Sequence, residues 1–214
     1  MISPRRSLDL RTESGHLICV KYFGLVDYQT TLPAMAEFAT HRDHLDQDQI
    51  WALQHPPVYT QGTTCQQGPL NLSSIPVVKT DRGGQITYHG PGQIVMYPML
   101  SLKRYGLSVK GLVRKLEQAV IALLAELEIS GERRLDAPGV YVDDKKIAAL
   151  GLRIRRGTSY HGLSLNVDMD LTPFANIDPC GFRGLQVTQL ADHIDRPDLQ
   201  HMTQRLLKHF VALI

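Results

Sequence analysis

Val140-Tyr141-Val142-Asp143-Asp144-Lys145-Lys146-Ile147-Ala148-Ala149-Leu150-Gly151-Leu152-Arg153-Ile154 reads as a β-hairpin, two runs of β-forming residues joined by a short acidic turn. Ser159 to Val167 follows as another strand, bordered by polar turns. Upstream, Leu17 to Phe23 is rich in β-formers and reads as a first strand that ends at Gly24. Gln49 to Gln54 reads as a buried strand; it stops at His55-Pro56-Pro57 because proline cannot donate to a central ladder. Pro76 to Thr80 is a short strand. Three stretches have helical spacing instead. Tyr28 to Leu45 carries Leu32, Met35, Ala36 and Ala39 at three- and four-residue steps. Ser108 to Ile129 places Leu112, Val113, Leu116, Val120, Leu123, Leu124 and Leu127 on one face, with Ser108 as N-cap and Gly131 as stop. Asp198 to Ile214 carries a stripe of Leu199, Met202, Leu206, Phe210 and Ile214. Strands outnumber helices, several are joined by short turns, and strict strand–helix alternation is missing. The expectation is an α+β domain, an α/β arrangement with a mixed or mostly antiparallel sheet.

A length of 214 residues suits a single domain, expected over residues 13–214 behind a flexible N-terminal extension of residues 1–12. Hydrophobic residues make up 43% and charged residues 21%, which excludes bulk disorder and fibrous classes. The longest apolar run, Ala119 to Ala125, is far short of the roughly 20 residues of a membrane span, and no secretory signal is visible. A net charge of +2 exerts no bulk pull on nucleic acid or membranes. Three cysteines, Cys19, Cys65 and Cys180, form no CxxC pair, so neither a disulfide framework nor a structural zinc site is expected. The simplest compartment is a reducing cytoplasm. His41 and His44 are three apart on the first helix but have no third ligand in register, so no metal site is expected.

Four segments carry candidate chemistry. Arg82-Gly83-Gly84-Gln85-Ile86-Thr87-Tyr88-His89-Gly90-Pro91-Gly92-Gln93 packs four glycines beside Arg and His and fits a substrate-cradling loop better than a plain hairpin. It is neither a Walker loop nor a dinucleotide fingerprint. Lys146 stands beside the small residues Ala148, Ala149 and Gly151, where a strand can point it into a cleft and desolvation can make it a base. The local pattern alone favours a solvated hairpin lysine. His161-Gly162-Leu163-Ser164 offers a histidine that the local pattern reads as structural rather than catalytic. Cys180, between Pro179 and Gly181, sits in a turn, where it is either a presented nucleophile or a buried thiol. Cys19, inside a strand, reads as a buried apolar thiol, and Cys65 stays ambiguous.

Taken in order, these four segments resemble the lipoyl/octanoyl-protein transferase family, within the biotin/lipoate protein ligase superfamily. His55-Pro56-Pro57-Val58-Tyr59-Thr60-Gln61-Gly62 looks like the family's upstream loop. Ser164 and Phe182 stand where the family often has alanine and isoleucine. The resemblance implies a single domain with a mixed sheet and transfer of an octanoyl or lipoyl group from acyl carrier protein to a lysine of lipoyl domains. The acceptors would be those of 2-oxo-acid dehydrogenase subunits and the glycine-cleavage H protein. It implies Cys180 as acyl-thioester nucleophile and Lys146 as the neighbour that favours its thiolate. Arg82 to His89, Ala149-Leu150-Gly151 and His161-Gly162-Leu163-Ser164 would line the acyl path. No cofactor is implied, because the acyl group arrives on the carrier's phosphopantetheine. Arg82, Lys145, Arg153, Arg155 and Arg156 are the basic residues expected to meet an acidic carrier. A monomer is expected, with no nucleic acid or membrane partner. The competing readings are an ATP-dependent ligase of the same superfamily, a cysteine hydrolase and a catalytically inactive binding protein.

Overall fold

The computed structural model describes residues 2–43, 45–65, 75–134, 137–177 and 185–214. In chain order its elements are β1 (Arg6–Arg11), β2 (Leu17–Leu25), α1 (Tyr28–His41), β3 (Asp48–Gln54), β4 (Val58–Gln61), β5 (Val77–Lys79), β6 (Ile86–His89), β7 (Gln93–Met99), α2 (Val109–Glu126), β8 (Glu132–Arg133), β9 (Gly139–Val142), β10 (Lys145–Arg155), β11 (Thr158–Asn166) and α3 (Leu199–Val211). A 3-10 turn spans Thr172–Asn176.

Eight strands form one sheet in the order β1-β2-β3-β7-β11-β10-β9-β8. Only β2 and β3 run parallel in it; the other neighbours are antiparallel. The mixed sheet expected from the sequence is therefore present. The hairpin that decided the expectation is β9–β10. Asp143 and Asp144 both have positive φ, 47° and 65°, which a two-residue turn between twisted strands requires. A second, small sheet pairs β5, β4 and β6 and carries much of the glycine-rich segment. Part of what the sequence suggested as a loop is thus strand β6.

Both faces of the large sheet are covered. Ile50, Ala52, Ile94 and Met96 pack against α2 and α3, while Trp51, Leu53, Val95 and Tyr97 face α1. All of β7 is buried. Pro98 is tolerated in this central strand because the ladder with β11 reaches only Met96, opposite Leu163. The helix ends follow their caps. Ser108 accepts from Gly111 N, and Asp198 accepts from His201 N at 2.6 Å.

Two expectations change. The N-terminal stretch expected to be a flexible extension contains β1, an antiparallel edge strand registered on β2 from Arg6–Tyr22 to Arg11–Leu17. Leu8 and Leu10 pack towards the α2–α3 side, and this apolar alternation among polar residues anchors it. The first helix ends at His41 rather than Leu45, because Arg42 leaves helical backbone and commits its guanidinium to Asp48. His44 lies outside the described residues.

Candidate active site

The bulge in β10 between Lys146 and Ala148 is where the site begins. It breaks the pairing with β9 and turns the buried Lys146, 3% exposed, towards a cleft between the two sheets. Nζ donates to the Pro138 carbonyl at 3.1 Å and lies 5.2 Å from the centre of the Tyr141 ring. The backbone at Lys146 is tied to the segment after residue 184: Lys146 N donates to Gln186 O, and Thr188 N donates to Lys146 O. Val187 thereby becomes a cleft residue. Cys180 lies outside the described residues.

Small residues let the backbones of three strands converge here. A Cβ on Gly162 would stand 2.1 Å from Met96 O, and one on Gly151 would stand 2.9 Å from Gly83 O. Of the expected lining residues, Arg82, Gly84, Gln85, Ile86, Thr87, His89, Ala149, Leu150, Gly151, His161, Gly162, Leu163 and Ser164 border the cleft together with Lys146. Two do not. Gly83 instead donates its N–H to Leu152 O, and the Tyr88 ring packs against Tyr59 and Phe174. Tyr28, Tyr97, Phe174 and Val187 also line the cleft and were not singled out from the sequence, and Asn166, at the end of the His161 segment, joins them. Tyr28 lies in a stretch read only as a helix, and no element was read over Tyr97, Phe174 or Val187.

Arg82 is buried at 7% exposure, with Nη2 on Thr60 O at 2.5 Å and Nε on Thr60 Oγ1 at 3.2 Å. Its guanidinium brings positive charge to the cleft, and it is too buried to serve the surface basic patch expected for a carrier. Arg155 and Arg156 are exposed, and they reach Thr40 at the end of α1.

Two buried histidines, His89 and His161, form the polar floor, and His55 packs behind His89; each has both ring nitrogens engaged. His89 Nδ1 donates to Gln93 Oε1 at 2.7 Å, an assignment fixed by Gln93 Nε2 donating to Asn166 Oδ1. His55 donates from Nδ1 to Val26 O and accepts from Tyr97 OH at 2.8 Å. His161 donates from Nε2 to Asp81 Oδ1 at 3.0 Å and accepts from Tyr28 OH. Burial pushes His55 down to about 4 and His89 down to about 3, and lowers His161 despite the Asp81 carboxylate. The same contact, joined by a bond from Tyr160 OH, holds Asp81 at about 2. At neutral pH the floor is therefore uncharged imidazole, and the cleft walls are largely aliphatic. Such a space accepts a hydrocarbon chain and places its head group near a cationic lysine and arginine.

Known proteins resemble the chain in sequence and in fold. Residues 27–211 match the family described as the lipoyl protein ligase A/B catalytic domain. The octanoyltransferase of Hydrogenovibrio crunogenus is 51% identical over 193 residues, 88% of this chain and 92% of that protein. The octanoyltransferase of Alkalilimnicola ehrlichii is 55% identical and covers 82% of each chain. Among solved structures, lipoate-protein ligase A bound with ATP superposes with a TM-score of 0.76 at 15% identity, over 89% of this chain and 83% of that one, a likeness of fold. The chain belongs to the lipoyl protein ligase A/B catalytic-domain family and, within it, to the octanoyltransferases.

Proposed function

We propose that the protein takes an octanoyl group from the phosphopantetheine thioester of acyl carrier protein and delivers it to a lysine of a lipoyl domain, in lipoate biosynthesis. The observation that carries this reading is the cleft itself. A buried lysine stands at one end of an aliphatic space whose walls are backbone-dense strands. Each methylene that leaves water there would contribute about 0.8 kcal/mol, so burying an acyl chain favours binding.

Cys180 is proposed as the nucleophile. Its thiolate attacks the thioester carbonyl, the bond to the pantetheine sulfur breaks, and that sulfur leaves with a proton. The amine of the acceptor lysine then attacks the enzyme thioester, the Cys180 sulfur leaves, and the amine proton passes to a base. Lys146 suits both proton steps: its ammonium favours a nearby thiolate and gives its proton to the departing pantetheine sulfur, and the neutral amine so formed accepts the proton of the acceptor amine. N–H groups on the glycine-rich strands are candidates to stabilise the tetrahedral oxyanion. The donor energy is that of a thioester, so ATP is not required. A reducing cytoplasm suits a working thiol, and the acceptors would be lipoyl domains of 2-oxo-acid dehydrogenase subunits and the glycine-cleavage H protein.

The test is transfer from octanoyl-acyl carrier protein to a purified lipoyl domain, read by the acceptor's mass without ATP. Transfer by the native chain and its loss by at least about a hundredfold in Lys146→Ala are expected, the size typical of a removed acid–base group. Octanoylation only from free octanoate with ATP would contradict the reading, as would release of free octanoate without acceptor modification.

A further inference from the structure

Glu117 lies on the face of α2 that otherwise carries Leu112, Leu116, Ala119 and Val120, and it is 4% exposed. A carboxylate buried among leucines must be compensated, because desolvation of an unmatched charge costs several kcal/mol. The compensation runs in two directions. Oε2 lies 3.6 Å from Arg133 Nε, whose side chain is partly solvated. Oε1 accepts from the backbone N of Gly139 at 3.1 Å.

The second contact matters for the site. The Gly139 N–H and the Pro138 carbonyl belong to one peptide group. That carbonyl is the acceptor of Lys146 Nζ at 3.1 Å. A single peptide plane therefore stands between a buried carboxylate and a buried ammonium, with its N–H given to the first and its C=O given to the second. Both contacts polarise the amide in the same sense, so each strengthens the other. The lysine arm also lies directly against the bare Cα of Gly139. With φ at +148°, a Cβ there would stand 2.9 Å from Lys146 Cε and 3.2 Å from Nζ.

We infer that Glu117 is a positioning residue: acting through the Pro138–Gly139 peptide, it holds the Lys146 ammonium at its place in the cleft. The effect on turnover rests on the proposed role of Lys146; the effect on Lys146 itself does not. Glu117 touches no reacting atom.

Two variants separate the possibilities. Glu117→Gln keeps an oxygen for Gly139 N–H, and Glu117→Ala removes it. The first readout is the rate at which an amine-reactive acetylating reagent modifies Lys146, followed by peptide mass spectrometry. The second is kcat and KM for octanoyl-acyl carrier protein. Glu117→Ala should label Lys146 several-fold faster and lower kcat by about tenfold at unchanged KM, the loss expected for one hydrogen bond to a charged group. Glu117→Gln should recover most of both. Labelling at the native rate in Glu117→Ala overturns the inference, whatever the activity. A rise in KM with kcat intact also overturns it, because that is a docking effect. Faster labelling with native kcat supports the hold on Lys146 and overturns instead the role proposed for that lysine, so the two readings fail separately. If Glu117→Ala does not fold, Glu117→Leu removes the acceptor while filling the same space on the leucine-rich face of α2. It should give the same pattern, and native labelling there overturns the inference equally.

Discussion

A histidine kept neutral by burial carries a stability cost that depends on pH. Folded His55 binds its proton only near pH 4, whereas an unfolded imidazole binds it near 6.5. His89 is lower still, at about 3. As pH falls through 6.5 the unfolded chain takes up these protons first, and stability drops until the folded imidazoles titrate. For His55 alone the loss by pH 4 is of the order of 3 kcal/mol. Asp81, held at about 2 by His161, adds in the same sense below pH 4, because its folded form resists protonation that the unfolded carboxylate accepts. Urea midpoints should therefore fall steeply between pH 6.5 and 4, and His55→Gln should flatten the slope. A midpoint independent of pH across that window would contradict the buried, neutral floor. The sequence placed these histidines in three separate segments and gave no sign of their hydrogen-bond partners. Their partners come from distant elements, such as Tyr97 on β7 for His55 and Asp81 for His161, and no spacing rule brings those together.

The helices and the strands β2, β3, β10 and β11 were legible, whereas β7 and β1 were not. The helices α2 and α3 announce themselves through 3.6-residue spacing and side-chain caps at Ser108 and Asp198. The β9–β10 hairpin shows itself through its turn. By contrast, Gln93-Ile94-Val95-Met96-Tyr97-Pro98-Met99 is buried on both faces, so β7 shows no alternation and contains a proline besides. The edge strand β1 has the opposite difficulty, since most of its residues are polar. Asp48, at the start of β3, was also silent in the sequence. It is fully buried and receives Arg42 at 2.6 Å, Arg104 at 2.7 Å, Tyr105 OH and Ser101 N. That one carboxylate joins the end of α1, the sheet and the turn after β7. Asp48→Asn leaves two arginines facing a neutral amide, and the expected loss is about 3 kcal/mol in urea unfolding. A loss under about 1 kcal/mol would show that the cluster is not a structural tie.

Across the whole molecule, the large sheet supplies a rigid wall, the small sheet supplies a second, and the glycine-rich strands let the two approach closely enough to leave a narrow aliphatic space. Four segments far apart in sequence were legible as candidates through their composition, and the sheets bring three of them to one cleft. The carboxylate behind the Pro138–Gly139 peptide was not legible, because Glu117 falls within the apolar face of α2 and has no local signal of its role. The central claim is that this cleft serves a covalent acyl intermediate on Cys180. The most direct measurement is the intact mass of the protein after incubation with octanoyl-acyl carrier protein, without acceptor or ATP, beside Cys180→Ser. One octanoyl adduct is expected, which hydroxylamine removes, a lipoyl domain discharges, and the variant lacks. An unmodified native chain with the carrier still acylated, or an adduct of the same kind on Cys180→Ser, would contradict it.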